Sequence, residues 1–179
     1  MGFFDDASRL PAPWPRGTPW DPPAGEFPCA VATGALVLAR TEAVAVAVTA
    51  IWAFTVGFEF WVKAQFRHPA PALKSPPDDQ SLHIGVQFAD GKKAANVTAL
   101  PEPAGSVPAG LILNPRSFGA SRQHLDRSYW VWPLPPAGPV AFVCEWAAFD
   151  IPQARTDTDG QPILDAARRS VQIWTADHG

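Results

Sequence analysis

Proline is spread unevenly along this chain, and its distribution limits the structure that each segment can form. The 179 residues include 21 prolines, more than twice the average share. Because proline lacks the backbone N–H, it interrupts helices and central strands. Seven prolines lie within residues 11–28, and most of the others lie in the segments 69–77, 101–108 and 133–139. The chain is therefore divided into apolar segments that are joined by proline-rich connections.

The first 28 residues are predicted to form a Pro/Trp-rich N-terminal arm. Their prolines favour extended, polyproline-like structure. Trp14 and Trp20 lie inside this arm. Two interpretations stay open: the indoles attach the arm to the body by burying aromatic surface, or they anchor a partner.

The body begins with segments that are typical of strands, predicted at 29–39, 43–54 and 57–66. In the third segment Phe58 and Phe60 alternate with Glu59 and Trp61. This alternation is typical of a half-buried antiparallel sheet. The segment 43–58 carries no charge, but its 16 residues are short for a membrane span. Valine also alternates with alanine at its start, so we interpret it as a buried strand.

A hairpin is predicted where Asp90-Gly91 separates two alternating runs, 82–89 and 92–99. Asp-Gly favours a two-residue turn in which both residues have a positive φ. Lys92 and Lys93 lie beside the turn, where lysines commonly protect a strand edge.

The second half of the chain is predicted to contain two further strands and one helix. Residues 100–127 are expected to be mainly a loop with a short strand at 111–113. Strands follow at 128–133 and 139–147. Apolar residues then recur at helical spacing, which predicts an amphipathic C-terminal helix at about 162–174.

Short strands joined by Pro/Gly turns favour a mostly β chain, with one domain over residues 29–179. We predict an antiparallel β-sandwich of immunoglobulin-like architecture with one C-terminal helix. A small β-barrel is the alternative.

Composition excludes several function classes and favours the cytoplasm. The formal net charge of −3 argues against a general nucleic-acid binder. No basic segment followed by an apolar run opens the chain, so no signal peptide and no membrane partner are predicted. Cys29 and Cys144 do not make a secreted disulfide framework. They are interpreted as small buried thiols.

No motif for catalysis, metal binding or cofactor binding meets its requirements. Asp157-Thr158-Asp159-Gly160 resembles part of a calcium loop, but Arg168 stands where the loop needs a bidentate glutamate. Gly119-Ala120-Ser121 lacks the Gly-x-Ser-x-Gly elbow. Glycine-rich phosphate loops and histidine clusters are also missing from the sequence. We therefore predict no catalytic residue, no metal ligand and no cofactor.

The candidate recognition residues are concentrated in the segment 116–132, where basic side chains lead into aromatic ones. Arginine beside exposed aromatics is typical of interface hot spots, and it also suits anionic ligands. In the alternative interpretation, the aromatics belong to the core and the arginines are merely solvated. The predicted binding residues are Arg116, Arg122, His124, Arg127, Tyr129, Trp130, Trp14 and Trp20.

Two functional hypotheses follow from these observations. The first is a non-enzymatic binding or assembly domain that recognises a protein or peptide partner, or itself, through a strand edge. The second is a small-ligand binder or an enzyme that holds an anionic substrate with Arg116, Arg122 and Arg127, with His124 as acid or base. Convergence of these side chains in one concave site would favour the second hypothesis.

Three phrases of the sequence resemble a family of uncharacterised actinobacterial proteins. They are RTEAVAVAVTAIWAFTVGFEFWV (40–62), LHIGVQFADGKKAANV (82–97) and YWVWPLPPAGPVAFVCEWAAFDIP (129–152). The resemblance implies a cytoplasmic bacterial protein. It implies no activity, so it assigns no functional residue.

Overall fold

The computed structural model describes residues 18–69, 82–96, 108 and 110–174. Within them the chain forms twelve strands and one α-helix, α1 (Gln161–Ala167). The strands are β1 (Glu26–Phe27), β2 (Cys29–Ala30), β3 (Leu36–Arg40), β4 (Val44–Ala53), β5 (Phe58–Phe66), β6 (His83–Phe88), β7 (Lys93–Ala95), β8 (Ile112–Ala120), β9 (His124–Trp132), β10 (Pro139–Trp146), β11 (Ile151–Asp159) and β12 (Val171–Gln172).

The strands form two large antiparallel sheets and one small ribbon. Sheet I has the order β2-β4-β5-β9-β8, and β3 also pairs with β4. Sheet II has the order β11-β10-β6-β7. The terminal ribbon pairs β1 with β12, near the two ends of the described chain.

The inner faces of sheets I and II pack against each other and form one hydrophobic core. Aromatic contacts connect the two sheets: the ring centroids of Phe60 and Phe142 are 5.0 Å apart, and those of Phe66 and Trp146 are 5.9 Å apart. Ile163 and Ala166 of α1 are buried in the same core. The predicted antiparallel β-sandwich with one helix is therefore confirmed. The alternative small barrel is wrong, because the sheets do not close.

The predicted loop at 100–127 is wrong for its second half. Residues 112–132 form one long hairpin of β8 and β9, so the basic residues lie on strands and in a tight turn. Two features obscure this hairpin in the sequence. Pro115 lies at an edge, and a register shift between Pro115 and Ser117 breaks the alternation of side chains.

Three other strand predictions need correction. The segment 29–39 is split into β2 and β3. Strand β11 was not predicted, because its side chains are mostly polar and exposed. The Asp90-Gly91 turn has a three-residue loop in which only Gly91 has a positive φ, at 85°. This is the arrangement of a type I turn followed by a glycine bulge.

The C-terminal helix is shorter than its apolar pattern predicts. It ends at Ala167, and Val171 and Gln172 then form β12. The apolar residues beyond the helix therefore lie on the terminal ribbon, where Val171 and Trp174 are exposed. Among the described residues, no helix is long and apolar enough to cross a membrane.

Candidate functional site

The β8–β9 hairpin carries six of the eight predicted binding residues, but it distributes them over different surfaces. Arg116 is exposed at the register shift in β8, and Arg122 is exposed in the turn. The side chains of β9 alternate between the two faces of sheet I. As a result His124 and Trp130 lie on the outer face, whereas Arg127 lies on the inner face.

Arg127 is a basic residue in a mainly apolar layer. It pairs with Val62 in sheet I, and its inner-face neighbours along β9 are Leu125 and Tyr129. Only 9% of Arg127 is exposed. Its guanidinium carbon lies 5.0 Å from the centre of the Phe118 ring, on the adjacent edge strand β8. This is the distance of a cation–π contact.

The charge of Arg127 has no counter-ion among the described residues. Its Nε atom is enclosed and has no hydrogen-bond acceptor there. The neighbouring carboxylate, Asp126, lies on the outer face, where it pairs with Lys63 at 3.6 Å and His124 at 3.2 Å. A buried charge without a partner costs free energy, because it loses its hydration. Arg127 is thus the described residue whose environment most clearly calls for an anionic group.

Tyr129 and Asn96 complete the polar cluster on the inner face. Burial raises the pKa of the Tyr129 hydroxyl, while the charge of Arg127 and hydrogen bonds from Arg127 and Asn96 oppose that rise. The Asn96 amide nitrogen lies 3.3 Å from the Tyr129 hydroxyl and donates to the carbonyl of Leu82 at 3.1 Å. Its carbonyl oxygen accepts from the N–H of Ile84. Asn96 therefore ties the edge of sheet II to β9 of sheet I.

Trp130 lies on the outer face of sheet I but is completely enclosed. Its indole N–H donates to the carbonyl of Trp20 at 2.8 Å, and the Phe54 ring packs edge-on against it at 5.4 Å. The chain around Trp20 thus covers this part of the sheet. The environment of Trp130 is therefore that of a packed structural residue and not of an exposed binding residue. Trp14 lies outside the described residues.

His124 belongs to a short chain of polar contacts on the exposed side of the hairpin. Its Nδ1 lies 3.1 Å from the Ser121 hydroxyl, and its Nε2 lies 3.2 Å from Asp126. These residue types resemble a hydrolase triad. However, the backbone N–H groups of Gln123 and His124 both donate to the Ser121 hydroxyl, each at 3.1 Å. Those donors stabilise the turn instead of an oxyanion beside the serine.

The hairpin also brings Phe118 to the surface, a residue that the sequence did not single out. Phe118 is 42% exposed and lies on β8, the edge strand of sheet I. The sequence gives only a weak indication that Phe118 lies on an edge strand, because Gly119 and the register shift disturb the alternation of side chains around it. Asn96 was also missed, since its role depends on contacts with distant strands.

The described residues contain no group of three His, Cys, Asp or Glu side chains that could hold a metal ion. Both cysteines are free thiols; Cys144 is buried and Cys29 is half-buried. The described part of the chain thus presents one buried arginine, beside a partly exposed aromatic edge, as its most distinctive chemical feature.

Comparison with known proteins finds no matching family model, no similar curated protein and no similar solved structure. The resemblance to actinobacterial proteins therefore gains no support from these comparisons.

Proposed function

We propose that this chain is a cytoplasmic, non-enzymatic binding domain that recognises a protein segment by strand addition at β8. The same edge would serve for pairing with a second copy of the chain. The observation that carries the proposal is the combination of an edge strand, a partly exposed Phe118 and the buried Arg127 against its ring, which has no counter-ion among the described residues. An edge strand offers backbone groups to an added strand, and a nearby side-chain site adds specificity.

The positions of the basic residues favour binding over catalysis. His124 and Arg127 lie on opposite faces of sheet I, so they do not converge on one substrate. The Ser121 hydroxyl is occupied by the turn. Nucleic acid and membranes are not proposed as partners, because the net charge is −3 and Arg116 and Arg122 are separate exposed residues.

The β8 edge is better suited to one specific partner strand than to pairing with any exposed strand of another chain. Pro115 and the register shift beside it interrupt the ladder in the middle of β8, which limits aggregation through the edge. The residues after the shift, including Phe118, continue to pair regularly with β9. This second half of β8 is where we expect a partner strand to begin.

The proposal is tested by affinity capture of the tagged full-length chain from its native lysate, with bound proteins identified by mass spectrometry. Phe118→Ser removes the exposed ring of the β8 edge. Val37→Ser is the matched control, because Val37 is 56% exposed on β3, at another edge of sheet I. We expect the wild-type and Val37→Ser proteins to retain a stoichiometric partner, and Phe118→Ser to recover at least about tenfold less of it.

Self-association is measured in the same three proteins by sedimentation velocity over a range of concentrations. A dimer that is lost only in Phe118→Ser supports the second copy as the partner. A monomer at every concentration, together with no captured partner, would overturn the proposal. Equal capture by all three proteins would also contradict it, because the β8 edge would then play no part.

A further inference from the structure

The guanidinium of Arg127 is the starting point for an inference about the chemistry of the ligand. It is nine-tenths buried, and the core residues around it are apolar except for the hydroxyl of Tyr129. The Phe118 ring satisfies only one face of the cation. The in-plane donor at Nε is enclosed without an acceptor among the described residues. The donor without an acceptor is therefore the Nε–H group in the guanidinium plane, and this is a direction from which arginine binds a planar anion.

The composition of the site favours a carboxylate over a phosphate. Arg127 is the one buried cation among the described residues, so the site supplies a single positive charge. A carboxylate carries one negative charge and matches the two-pronged donor geometry of arginine. A phosphate dianion would leave one charge uncompensated in an apolar layer, which costs more free energy.

The position of Arg127 connects this site to the edge of the sheet. Phe118 lies on β8 opposite Arg127 in the register of the hairpin, and it is partly exposed. A side chain that projects inward from a strand added beyond β8 would therefore run beside Phe118 toward the guanidinium. Glutamate and aspartate are the side chains that bring a carboxylate to this position.

We propose that Arg127 binds a carboxylate, and that the added protein segment supplies it from an inward-facing acidic side chain. This inference rests on the proposed function for the source of the carboxylate. The carboxylate site itself does not depend on it, because a small free carboxylate has the same chemistry.

The test follows the side-chain Nε–H resonances of the full ¹⁵N-labelled chain by NMR, with the Arg127 signal assigned by its loss in Arg127→Lys. The first probe is sodium acetate, compared with sodium chloride at equal ionic strength. The second is the peptide Thr-Val-Glu-Val-Thr with blocked ends, compared with the same peptide carrying glutamine in place of glutamate. Arg122, which is exposed, serves as the internal control signal.

We expect acetate and the glutamate peptide to shift the Arg127 signal while the Arg122 signal stays in place. The glutamine peptide should bind at least about tenfold more weakly, because it cannot pair with the buried charge. A response to acetate but to neither peptide supports the carboxylate site and assigns a small free acid as its source. Equal shifts with both peptides would overturn the requirement for a carboxylate.

Two results would separate the failure of this inference from the failure of the proposed function. No shift with any carboxylate overturns the inference, while loss of a captured partner in Phe118→Ser would still support binding at β8.

Discussion

At the scale of the residue, burial changes the chemistry of side chains that the fold encloses, and Cys144 is the clearest case. Cys144 lies on the inner face of β10 and is 1% exposed. Burial raises the pKa of its thiol from about 9 to about 11, because the charged thiolate is poorly solvated in the core. The thiol is therefore a packing group.

The shifted pKa of Cys144 predicts a loss of stability in alkaline solution. Between pH 9 and pH 11 the unfolded chain releases this proton while the folded chain keeps it. The free energy of unfolding should therefore fall as the pH rises through that range, and the contribution is fully present below pH 9. In Cys144→Ala the decline over this range should be shallower, as measured by urea unfolding at several pH values. Parallel declines in the two proteins would contradict this explanation.

The sequence predicts parts of the binding site at this scale, but not the arrangement of its residues. The predicted strand at 128–133 contains Tyr129 and Trp130, and alternation places their side chains on opposite faces. Arg127 falls in the predicted loop at 100–127, so its position on the inner face of β9 was not predicted. Alternation does not show which face is inside, because both faces carry large aromatic side chains. The enclosure of Trp130 depends on Trp20, which is 110 residues away in the chain. Such a contact leaves no local pattern.

At the scale of the element, strands with regular alternation were predictable and edge strands were not. Strands β4, β5, β6 and β10 each have one apolar face that packs in the core, so their patterns are clear. Strands β8 and β11 lie at sheet edges, where most of their side chains are exposed. Each is held by pairing with the strand next to it in the chain, β9 for β8 and β10 for β11, and side-chain periodicity does not record such backbone pairing.

Gly57 controls the close approach of β5 to β9, and its substitution gives a test at this scale. A Cβ atom at this position would overlap the carbonyl oxygen of Val131 and lie 2.7 Å from the Trp130 ring. We expect Gly57→Ala to lower the free energy of unfolding by about 2–3 kcal/mol, because the neighbouring atoms belong to fully enclosed residues that have little room to move. The measurement is urea denaturation.

The matched control for this substitution is Gly34→Ala. A Cβ atom at Gly34 would meet no other atom within 4 Å. Its effect should stay within about 0.5 kcal/mol. Similar losses in the two variants would show that the close approach at Gly57 does not limit packing.

At the scale of the whole molecule, the number of strands was enough to predict a sandwich but not its division into sheets. Strand pairing joins segments far apart in the chain, as in the pairing of β5 with β9. The same long-range pairing turns Arg127 toward the apolar layer between the sheets. The fold therefore encloses a charge that has no counter-ion among the described residues.

Under the proposed function, Arg127 serves ligand binding at the expense of stability. Proteins commonly accept such a loss where a site must meet a partner. Methionine has a similar length and no charge, so Arg127→Met removes the cation while largely filling its space. The exposed Arg122 provides the matched control substitution, Arg122→Met.

The most direct measurement is the free energy of unfolding of Arg127→Met, Arg122→Met and the wild-type protein by urea denaturation without added ligand. We predict that Arg127→Met is more stable than the wild-type protein by about 1–2 kcal/mol, because the substitution removes a buried charge that has no counter-ion among the described residues. The free energy of unfolding of Arg122→Met should differ from that of the wild-type protein by less than about 0.5 kcal/mol. A loss of more than about 1 kcal/mol in Arg127→Met would contradict the claim, since Arg127 would then be a structural residue of the core.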